Sequence, residues 1–265
     1  MTGGALTNDA EVLTRQYADD RNLRARQRLW DISRTEPELD FNRWSVDLLG
    51  AGPGDVVLDA GCGNGRPLRL LAERGCTAVG LDLSPGMAAA AGARTLVGDV
   101  QHLPFADAAF DGALALMMLY HVPDQAAAAA ELRRVVGPGG ALVATTASRH
   151  NQDELRQLVE GAVGGGWTWA RPSTTSFDLE TGGDVLATAF ASVERVDAPE
   201  RRVHVTDTDA LADYLASTAD HYERTLPPGR RWAEVVEAGR QAVREAVARS
   251  GALVLTARLG AFVCR

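Results

Sequence analysis

One segment, residues 56–65, constrains the fold of this 265-residue chain more than any other part of it. It begins with Val56-Val57-Leu58, an apolar and partly β-branched run that is typical of a parallel strand covered on both faces. Asp59 follows, and glycines then occupy alternate positions. Glycine lets backbone amides approach a bound group closely, because it lacks a Cβ atom and tolerates positive φ. A leucine-rich helical pattern comes next. The segment therefore predicts a strand, a glycine turn and a helix N-terminus, an arrangement that suits a nucleotide-like ligand.

The glycine spacing and two acidic residues narrow the kind of ligand. A dinucleotide fingerprint reads G-x-G-x-x-G and binds a pyrophosphate, whereas the third glycine here comes one position early. Asp59 would repel a pyrophosphate but suits an ammonium group. The next predicted strand ends in Asp82, from where a carboxylate accepts hydrogen bonds from ribose hydroxyls. The pair favours a ligand with a ribose and a cationic amino-acid tail but no phosphate. Either acid alone could instead cap the turn that follows it.

Five motifs in register between Asp55 and Ala147 resemble those of class I S-adenosylmethionine (SAM)-dependent methyltransferases. The resemblance is to the small-molecule enzymes related to the ubiquinone/menaquinone-biosynthesis methyltransferases (methyltransferase domain types 11 and 25). The motifs are the glycine turn at 57–65, the second strand end at 80–84, an adenine-contacting segment at 98–105, the fourth strand from 110 onward, and the helix and turn at 132–140.

This resemblance implies an α/β, Rossmann-like fold with a seven-stranded, mostly parallel sheet and helices on both faces, and the alternation of strand and helix patterns agrees with it. We expect an N-terminal helical lid at 1–45, a SAM-binding core at 46–147, an acceptor-binding insertion with late strands at 148–206, and C-terminal helices with the final strand of the same domain at 207–265. An apolar face predicts a helix at 124–136. Periodicity weakens after Ala147, but we also expect a helix at 150–163 and a single terminal strand from Leu253 to Val263.

The resemblance assigns SAM as the cofactor, with S-adenosyl-L-homocysteine (SAH) as its product, and it assigns no metal. Asp99 is expected to accept from the adenine amino group, with Val100 donating beside it and Met117 forming an apolar wall. Tyr17 is a candidate lid residue, although an aromatic at this position also suits ordinary packing. The expected cofactor-binding residues are Tyr17, Asp59, Gly61, Cys62, Gly63, Asp82, Leu83, Asp99, Val100 and Met117.

His121 is the candidate general base. It follows the fourth strand, and the carboxyl ends of parallel strands face the ligand crevice. Imidazole also titrates near neutrality. The alternative is that His121 fixes the loop before Pro123. His150 is a weaker candidate, and the remaining histidines, His102, His204 and His221, are expected on the surface or in strands.

Two further groups of residues have competing interpretations. Trp167, Trp169 and Phe177 could line an aromatic acceptor pocket or pack in the core. A basic stretch near the N-terminus favours a solvated helix face, because Asp19 and Asp20 offset its charge; its members are Arg21, Arg24, Arg26 and Arg28.

Composition limits the partners. A net charge of −8 argues against a general nucleic-acid or membrane-surface partner. The three cysteines show neither disulfide-like nor zinc-like spacing, which favours a reducing compartment. Cys62 is expected to occupy the turn because its side chain is small, rather than to act as a reactive thiol. No targeting segment or membrane span is predicted, so we expect a cytoplasmic protein.

The sequence thus predicts SAM-dependent methyl transfer to a small organic acceptor, such as a secondary or specialised metabolite, with O-methylation slightly favoured over N- or C-methylation. The alternatives are a catalytically silent SAM-binding module, non-methylating SAM chemistry on the same fold, and a nicotinamide-dependent reductase, which needs the longer glycine spacing. The acceptor itself and the oligomeric state are not predicted.

Overall fold

The computed structural model of the chain describes residues 10–92, 94–169 and 177–265. Residues 1–9 of the expected lid and most of the Ser/Thr-rich turn after Trp169 lie outside these ranges. Within them, the strands are β1 (Arg34–Glu36), β2 (Val56–Ala60), β3 (Thr77–Asp82), β4 (Thr95–Val97), β5 (Phe110–Leu116), β6 (Val136–Ala147), β7 (Val193–Asp197), β8 (Arg201–Val205), β9 (Leu253–Ala257) and β10 (Leu259–Cys264).

The helices of the same ranges alternate with the strands in the first half of the chain and cluster in the second half. They are α1 (Ala10–Gln16), α2 (Arg21–Ile32), α3 (Phe41–Leu49), α4 (Arg66–Glu73), α5 (Pro85–Ala91), α6 (Gln125–Val135), α7 (Asp153–Val163), α8 (Gly182–Leu186), α9 (Thr208–Ala216), α10 (Ala219–Tyr222) and α11 (Trp232–Ser250).

The main sheet has seven strands in the order β4-β3-β2-β5-β6-β10-β7. The first five strands in this order, β4 to β6, are parallel to their neighbours. In contrast, β10 is antiparallel to both β6 and β7. Parallel strands joined by helices present all their carboxyl ends at one edge, where ligands bind. The expected α/β, mostly parallel architecture is therefore confirmed.

Helices cover both faces of this sheet, and the alternation of side chains along the strands shows how. Leu58 and Ala113 pack into one core with Leu132 of α6, while Val57 and Leu114 pack into another core that includes residues of α3 and α4. Successive residues of a strand point to opposite faces of the sheet. Because helices cover both faces here, both sets of residues are apolar and the strand sequence is continuously hydrophobic. Asp124 caps α6 as expected, since its side chain accepts from the backbone amide of Ala127.

A second, three-stranded antiparallel sheet, β1-β8-β9, lies under the C-terminal helices. Its core is separate from the other two and includes Leu155, Val203, Leu211, Trp232 and Leu255. The prediction of one terminal strand is wrong here, because β9 belongs to the small sheet and β10 to the large one. The chain changes sheet at Arg258, whose backbone bonds to Ser148 and Asn151.

Other helix boundaries differ only slightly from expectation. The helix expected at 150–163 begins at Asp153, and α6 ends one residue before its expected end. None of the helices in the described part of the chain combines the length and the hydrophobicity that a membrane-spanning segment requires.

Candidate functional site

The glycine turn after β2 contains positions that only glycine occupies without strain. Gly61 has φ +70°, and a Cβ atom there would lie 2.8 Å from the side chain of Met118. Its amide donates to the carbonyl of Leu81 at 2.7 Å, which holds the turn against β3. Gly65 is the N-cap of α4. The free amides at the start of this helix therefore face the carboxyl edge of the sheet.

Asp59 is a buried acid at the end of β2. It is 1% exposed, and neither carboxylate oxygen has a hydrogen-bond partner among the described residues. Burial raises the pKa of Asp59 well above its usual value, and the nearby charge of Asp82 raises it further. A buried carboxylate without partners is costly unless a ligand satisfies it.

Asp82 ends the neighbouring strand β3, and the backbone holds its side chain. One oxygen accepts from the amide of Gly63 and the other from the amide of Ser84, both at 2.9 Å. Burial raises the pKa of Asp82, while these two amides act in the opposite direction. Each carboxylate oxygen keeps a second lone pair that can accept from a hydroxyl.

Cys62, within the turn, is a buried thiol. Burial raises its pKa far above the ordinary value, and the charges of Asp59 and Asp82 add to the effect. Since the thiolate is the reactive form, Cys62 is inert at neutral pH and serves as a small side chain in the turn.

The other expected cofactor residues lie along the same edge. Asp99 accepts from both the backbone and the side-chain amide of Gln101 at 2.9–3.0 Å. Leu83 is 58% exposed, which is high for a leucine beside a cavity. Met117 has φ +55°, an uncommon conformation for a residue other than glycine. Strained residues of this type cluster at binding and active sites.

The N-terminal helices are tied to this edge by side-chain contacts. The hydroxyl of Ser84 donates to the carbonyl of Tyr17 at 2.5 Å. Gln27 of α2 and Asn64 of the glycine turn exchange two hydrogen bonds, at 2.8 and 3.3 Å. The helix α2 is further linked to α4 by the two-pronged ion pair between Asp31 and Arg66.

Tyr17 and His121 form a hydrogen-bonded pair. The hydroxyl of Tyr17 lies 2.8 Å from Nε2 of His121, and which atom donates depends on the tautomer. The imidazole of His221 stacks on that of His121, with ring centroids 5.9 Å apart and an angle of 17° between the planes. A proton leaving a bound acceptor could be taken up at Nε2 and shared with the phenol.

Tyr17, His121 and His221 line one cavity of about 1700 Å³ between the carboxyl edge of the main sheet, α2 and the C-terminal helices. Every residue of the expected cofactor-binding set contributes to its wall, and so does His121. His102 and His150 are exposed and lie away from it. The aromatic residues of the wall are Tyr17, Trp30, Phe41, Tyr120, Tyr214 and Tyr222.

The three aromatic residues considered for an acceptor pocket are packed elsewhere. Phe177 is 1% exposed and packs edge-on against Phe262 of β10. Trp169 contacts Tyr222 and Trp232, and Trp167 donates from Nε1 to the carbonyl of Thr225. All three pack in cores outside the cavity wall, Phe177 in the core of the main sheet and the two tryptophans against the core under the C-terminal helices.

Two residues of the cavity wall contradict the sequence-based expectation. Arg26 does not belong to a solvated face, since it turns into the cavity while its neighbours Arg21 and Arg24 remain exposed. The helical wheel contains the signal, because position 26 is on the same face as Leu23 and Trp30. His221 is 4% exposed rather than superficial. Nothing in its local sequence indicates this, because burial comes from the packing of α10 against α1.

Comparisons with known proteins agree with this geometry. Residues 58–144 match the family described as a methyltransferase domain. Over 116 residues the chain is 40% identical to malonyl-[acyl-carrier protein] O-methyltransferase of Serratia marcescens, covering 41% of this chain and 46% of the relative. Over 108 residues it is 39% identical to demethylmenaquinone methyltransferase of Beutenbergia cavernae, covering 39% of this chain and 45% of the relative.

A solved structure extends the likeness in fold beyond the matched domain. Phosphoethanolamine N-methyltransferase 2 of Haemonchus contortus, in complex with phosphomonomethylethanolamine and S-adenosylhomocysteine, aligns with a TM-score of 0.56 at 18% identity, over 97% of this chain and 59% of that one. The alignments with the two curated relatives span slightly less than half of their lengths. The family match identifies residues 58–144 as a methyltransferase domain, and the sheet order agrees with the class I, SAM-dependent type that the motifs resemble.

Proposed function

We propose that the whole chain binds SAM in this cavity and transfers its methyl group to a small organic acceptor. The observation that carries the proposal is Asp59, a buried carboxylate whose two oxygens lack partners among the described residues. An ammonium group beside it would supply the missing hydrogen bonds and the opposite charge.

The surrounding residues also fit SAM. The glycine turn lines the cavity, and Asp82 offers lone pairs to ribose hydroxyls. Leu83, Val100 and Met117 provide apolar surface at the cavity edge, and Asp99 offers a carboxylate beside it. We assign the ammonium group to Asp59, the ribose to Asp82 and the adenine to the segment around Asp99.

SAM supplies an electrophilic methyl group when it is bound. The protein then has to align the acceptor with the methyl–sulfur bond and exclude water, and orientation of this kind can contribute about 7–11 kcal/mol. The helices α1 and α2 lie over the cavity through their contacts with Ser84, Asn64 and Arg66. We propose that they act as the lid.

His121 is the proposed proton acceptor, positioned by Tyr17. An acceptor hydroxyl loses a proton on methylation, and Nε2 of His121 would take it up once the acceptor replaces the Tyr17 phenol, 2.8 Å away, as its hydrogen-bond partner. This pair is the reason to favour O-methylation slightly over N- or C-methylation. The names of the two curated relatives point to quinone-type and acyl-carrier-linked acceptors. The cavity, at about 1700 Å³, has room for a specialised metabolite beside the cofactor.

The test uses SAM with an isotopically labelled methyl group and a small-molecule extract of the producing cells. We expect the wild-type protein to release SAH and to transfer the label to an extracted product, whose mass increases by one methyl group. His121→Ala is expected to lower the rate by about 10²–10⁴-fold, and Tyr17→Phe by a smaller factor.

His121→Ala should not change the affinity for SAH by a comparable factor, because the proposed proton acceptor does not hold the cofactor. Tyr17→Phe should change it little, because it keeps the aromatic ring in the cavity wall. Binding of SAH with no labelled product would indicate a silent SAM-binding module. A product formed without the label would indicate non-methylating chemistry. Either result would contradict the proposed activity.

A further inference from the structure

Arg26 is a cation in the cavity wall that the cofactor assignment above does not use. It lies in α2, one turn from Leu23, whose side chain packs 3.0 Å from the Cβ position of Gly63. Leu23 and Gln27 therefore cover the glycine turn, whereas Arg26 contributes to the same wall beside them.

The other arginines of α2 all have acidic partners. Arg21 pairs with Asp19, Arg24 with Asp20, and Arg28 with Asp207 and Asp213. Among the residues that the structure describes, no ion pair includes Arg26. Its Nη2 atom is buried and has no hydrogen-bond partner in those residues.

Tyrosines surround this guanidinium. It lies 5.3 Å from the centroid of the Tyr17 ring, which favours a cation. Burial lowers the pKa of Arg26, but its interactions with Tyr17 and Tyr120 outweigh burial and the pKa is raised. Burial also raises the pKa of Tyr120, so this residue remains a neutral phenol. Since the arginine side chain stays protonated in proteins, Arg26 is a permanent positive charge.

A half-buried cation whose Nη2 atom is shielded from water without a partner is costly unless a ligand compensates it. The guanidinium presents N–H donors in a planar fork that matches a carboxylate with two parallel hydrogen bonds. Phenol hydroxyls around it can donate to the same group. The chemistry of the site therefore fits a carboxylate.

We propose that Arg26 binds a carboxylate group of the methyl acceptor. This inference rests on the proposed function, and it defines the acceptor as an organic acid. Arg26 contacts Tyr17, and Tyr17 bonds to His121, so an acid anchored there would lie next to the proposed proton acceptor. The aromatic walls of Trp30 and Tyr214 offer a surface for the body of that acid.

A second source of a carboxylate is the amino-acid tail of the cofactor. The two sources make different predictions for SAH, which carries the tail, and 5′-methylthioadenosine, which lacks it. With an acceptor carboxylate at Arg26, replacement of Arg26 leaves the affinities for both compounds within about threefold of wild type.

The experiment measures thermal unfolding of the SAH-saturated protein in the presence of sodium acetate, benzoate or 4-hydroxyphenylacetate. The effect of each carboxylate is compared with that of its neutral amide at constant ionic strength. The variants are Arg26→Met, which removes the charge, and Arg26→Lys, which keeps it without the fork. Arg24→Met is the control, since this arginine is exposed on the same helix.

We expect at least one of the three carboxylates to raise the Tm of the wild type and of Arg24→Met more than its amide does. Arg26→Met should need at least tenfold more of that carboxylate for the same shift, with Arg26→Lys in between. A response of Arg26→Met equal to that of the wild type, or no carboxylate-specific shift in the wild type, would overturn the proposal.

Calorimetry with SAH and 5′-methylthioadenosine provides the second readout. A tenfold loss of SAH affinity in Arg26→Met, with 5′-methylthioadenosine unaffected, would assign the carboxylate to the cofactor tail and overturn the acceptor assignment. A wild-type protein that binds no SAH would instead refute the proposed function. The carboxylate titration, repeated without SAH, would then still decide whether Arg26 binds an acid.

Discussion

Asp59 is placed where an acid destabilises the ligand-free protein. Its oxygens have no partners among the described residues, and its pKa is raised well above the ordinary value of 3.8 by burial and by Asp82. The folded protein therefore holds this proton more tightly than the unfolded chain does. The contribution of Asp59 to stability must fall as the pH rises from about 3.8 through the raised pKa, and its penalty is fully present above it.

Asp59→Asn should accordingly stabilise the ligand-free protein. The substitution removes the buried charge while keeping the shape of the side chain, and we expect a gain on the order of 1 kcal/mol at about pH 8. Urea denaturation at several pH values measures it, and the gain should shrink as the pH falls. Asp184→Asn, at an exposed position of α8, is the control and should change stability little. If the Asp59→Asn variant proved less stable than the wild type at this alkaline pH, the account of Asp59 would be contradicted.

At the scale of elements, the strand–turn–helix unit depends on glycine at position 63. Gly63 has φ +54°, and an added Cβ atom would meet Leu23 of α2 at 3.0 Å. The left-handed conformation costs other residues about 1–2 kcal/mol.

We expect Gly63→Ala to lower the free energy of unfolding by about that amount and to weaken SAH binding about tenfold, because the turn and α2 must both shift. Gly161→Ala is the matched control, since that glycine lies inside α7 with open space around its Cβ position. It should leave SAH binding unchanged and stabilise the helix by up to about 1 kcal/mol. Equal effects of the two substitutions on SAH affinity would show that the turn does not form the site.

The elements that sequence predicts well are those whose signal is local. The buried run before Asp59, the three glycines and the capping residue Asp124 each determine their own conformation. The division of the last strand has no such signal. Residues 253–263 are mostly apolar and contain no proline, and the change of sheet is held by distant loop residues that bond to Arg258.

The same reasoning explains what sequence could and could not indicate about the site. The positions of Asp59 and Asp82 at strand ends predict that both lie in the site. A helical wheel places Arg26 on the apolar face of α2, but the charged residues around it in the sequence favour a solvated face instead. The pairing of Tyr17 with His121 and the stacking of His221 join residues from distant parts of the chain. Such contacts depend on tertiary packing, which single-sequence patterns do not contain.

At the scale of the molecule, the cavity wall combines two cores. The main sheet supplies the proposed cofactor side, and the smaller sheet with α9 and α11 supports the side that carries Tyr214 and Tyr222. Trp232 is central to this second core. It is 2% exposed, stacks on Tyr222, and donates from Nε1 to the carbonyl of Leu215 at 2.6 Å.

Trp232→Ala should therefore destabilise the protein by about 3–5 kcal/mol, through a large cavity and a lost buried hydrogen bond. Val247→Ala, at a partly exposed position of the same helix, should cost less than about 0.5 kcal/mol. Thermal unfolding of both variants with and without SAH measures the effect. Similar stabilities of the two variants would mean that the C-terminal helices do not share a cooperative core with the rest of the described chain.

Calorimetric titration of the wild-type protein with SAH tests the central claim most directly. We predict one site per chain with a micromolar Kd, and at least a tenfold loss of affinity, about 1.4 kcal/mol, in Asp59→Asn and in Asp82→Asn. Asp184→Asn should bind as the wild type does, because it lies outside the cavity wall. Absence of binding up to millimolar SAH, or unchanged affinity in both cavity variants, would contradict the assignment of this cavity to SAM.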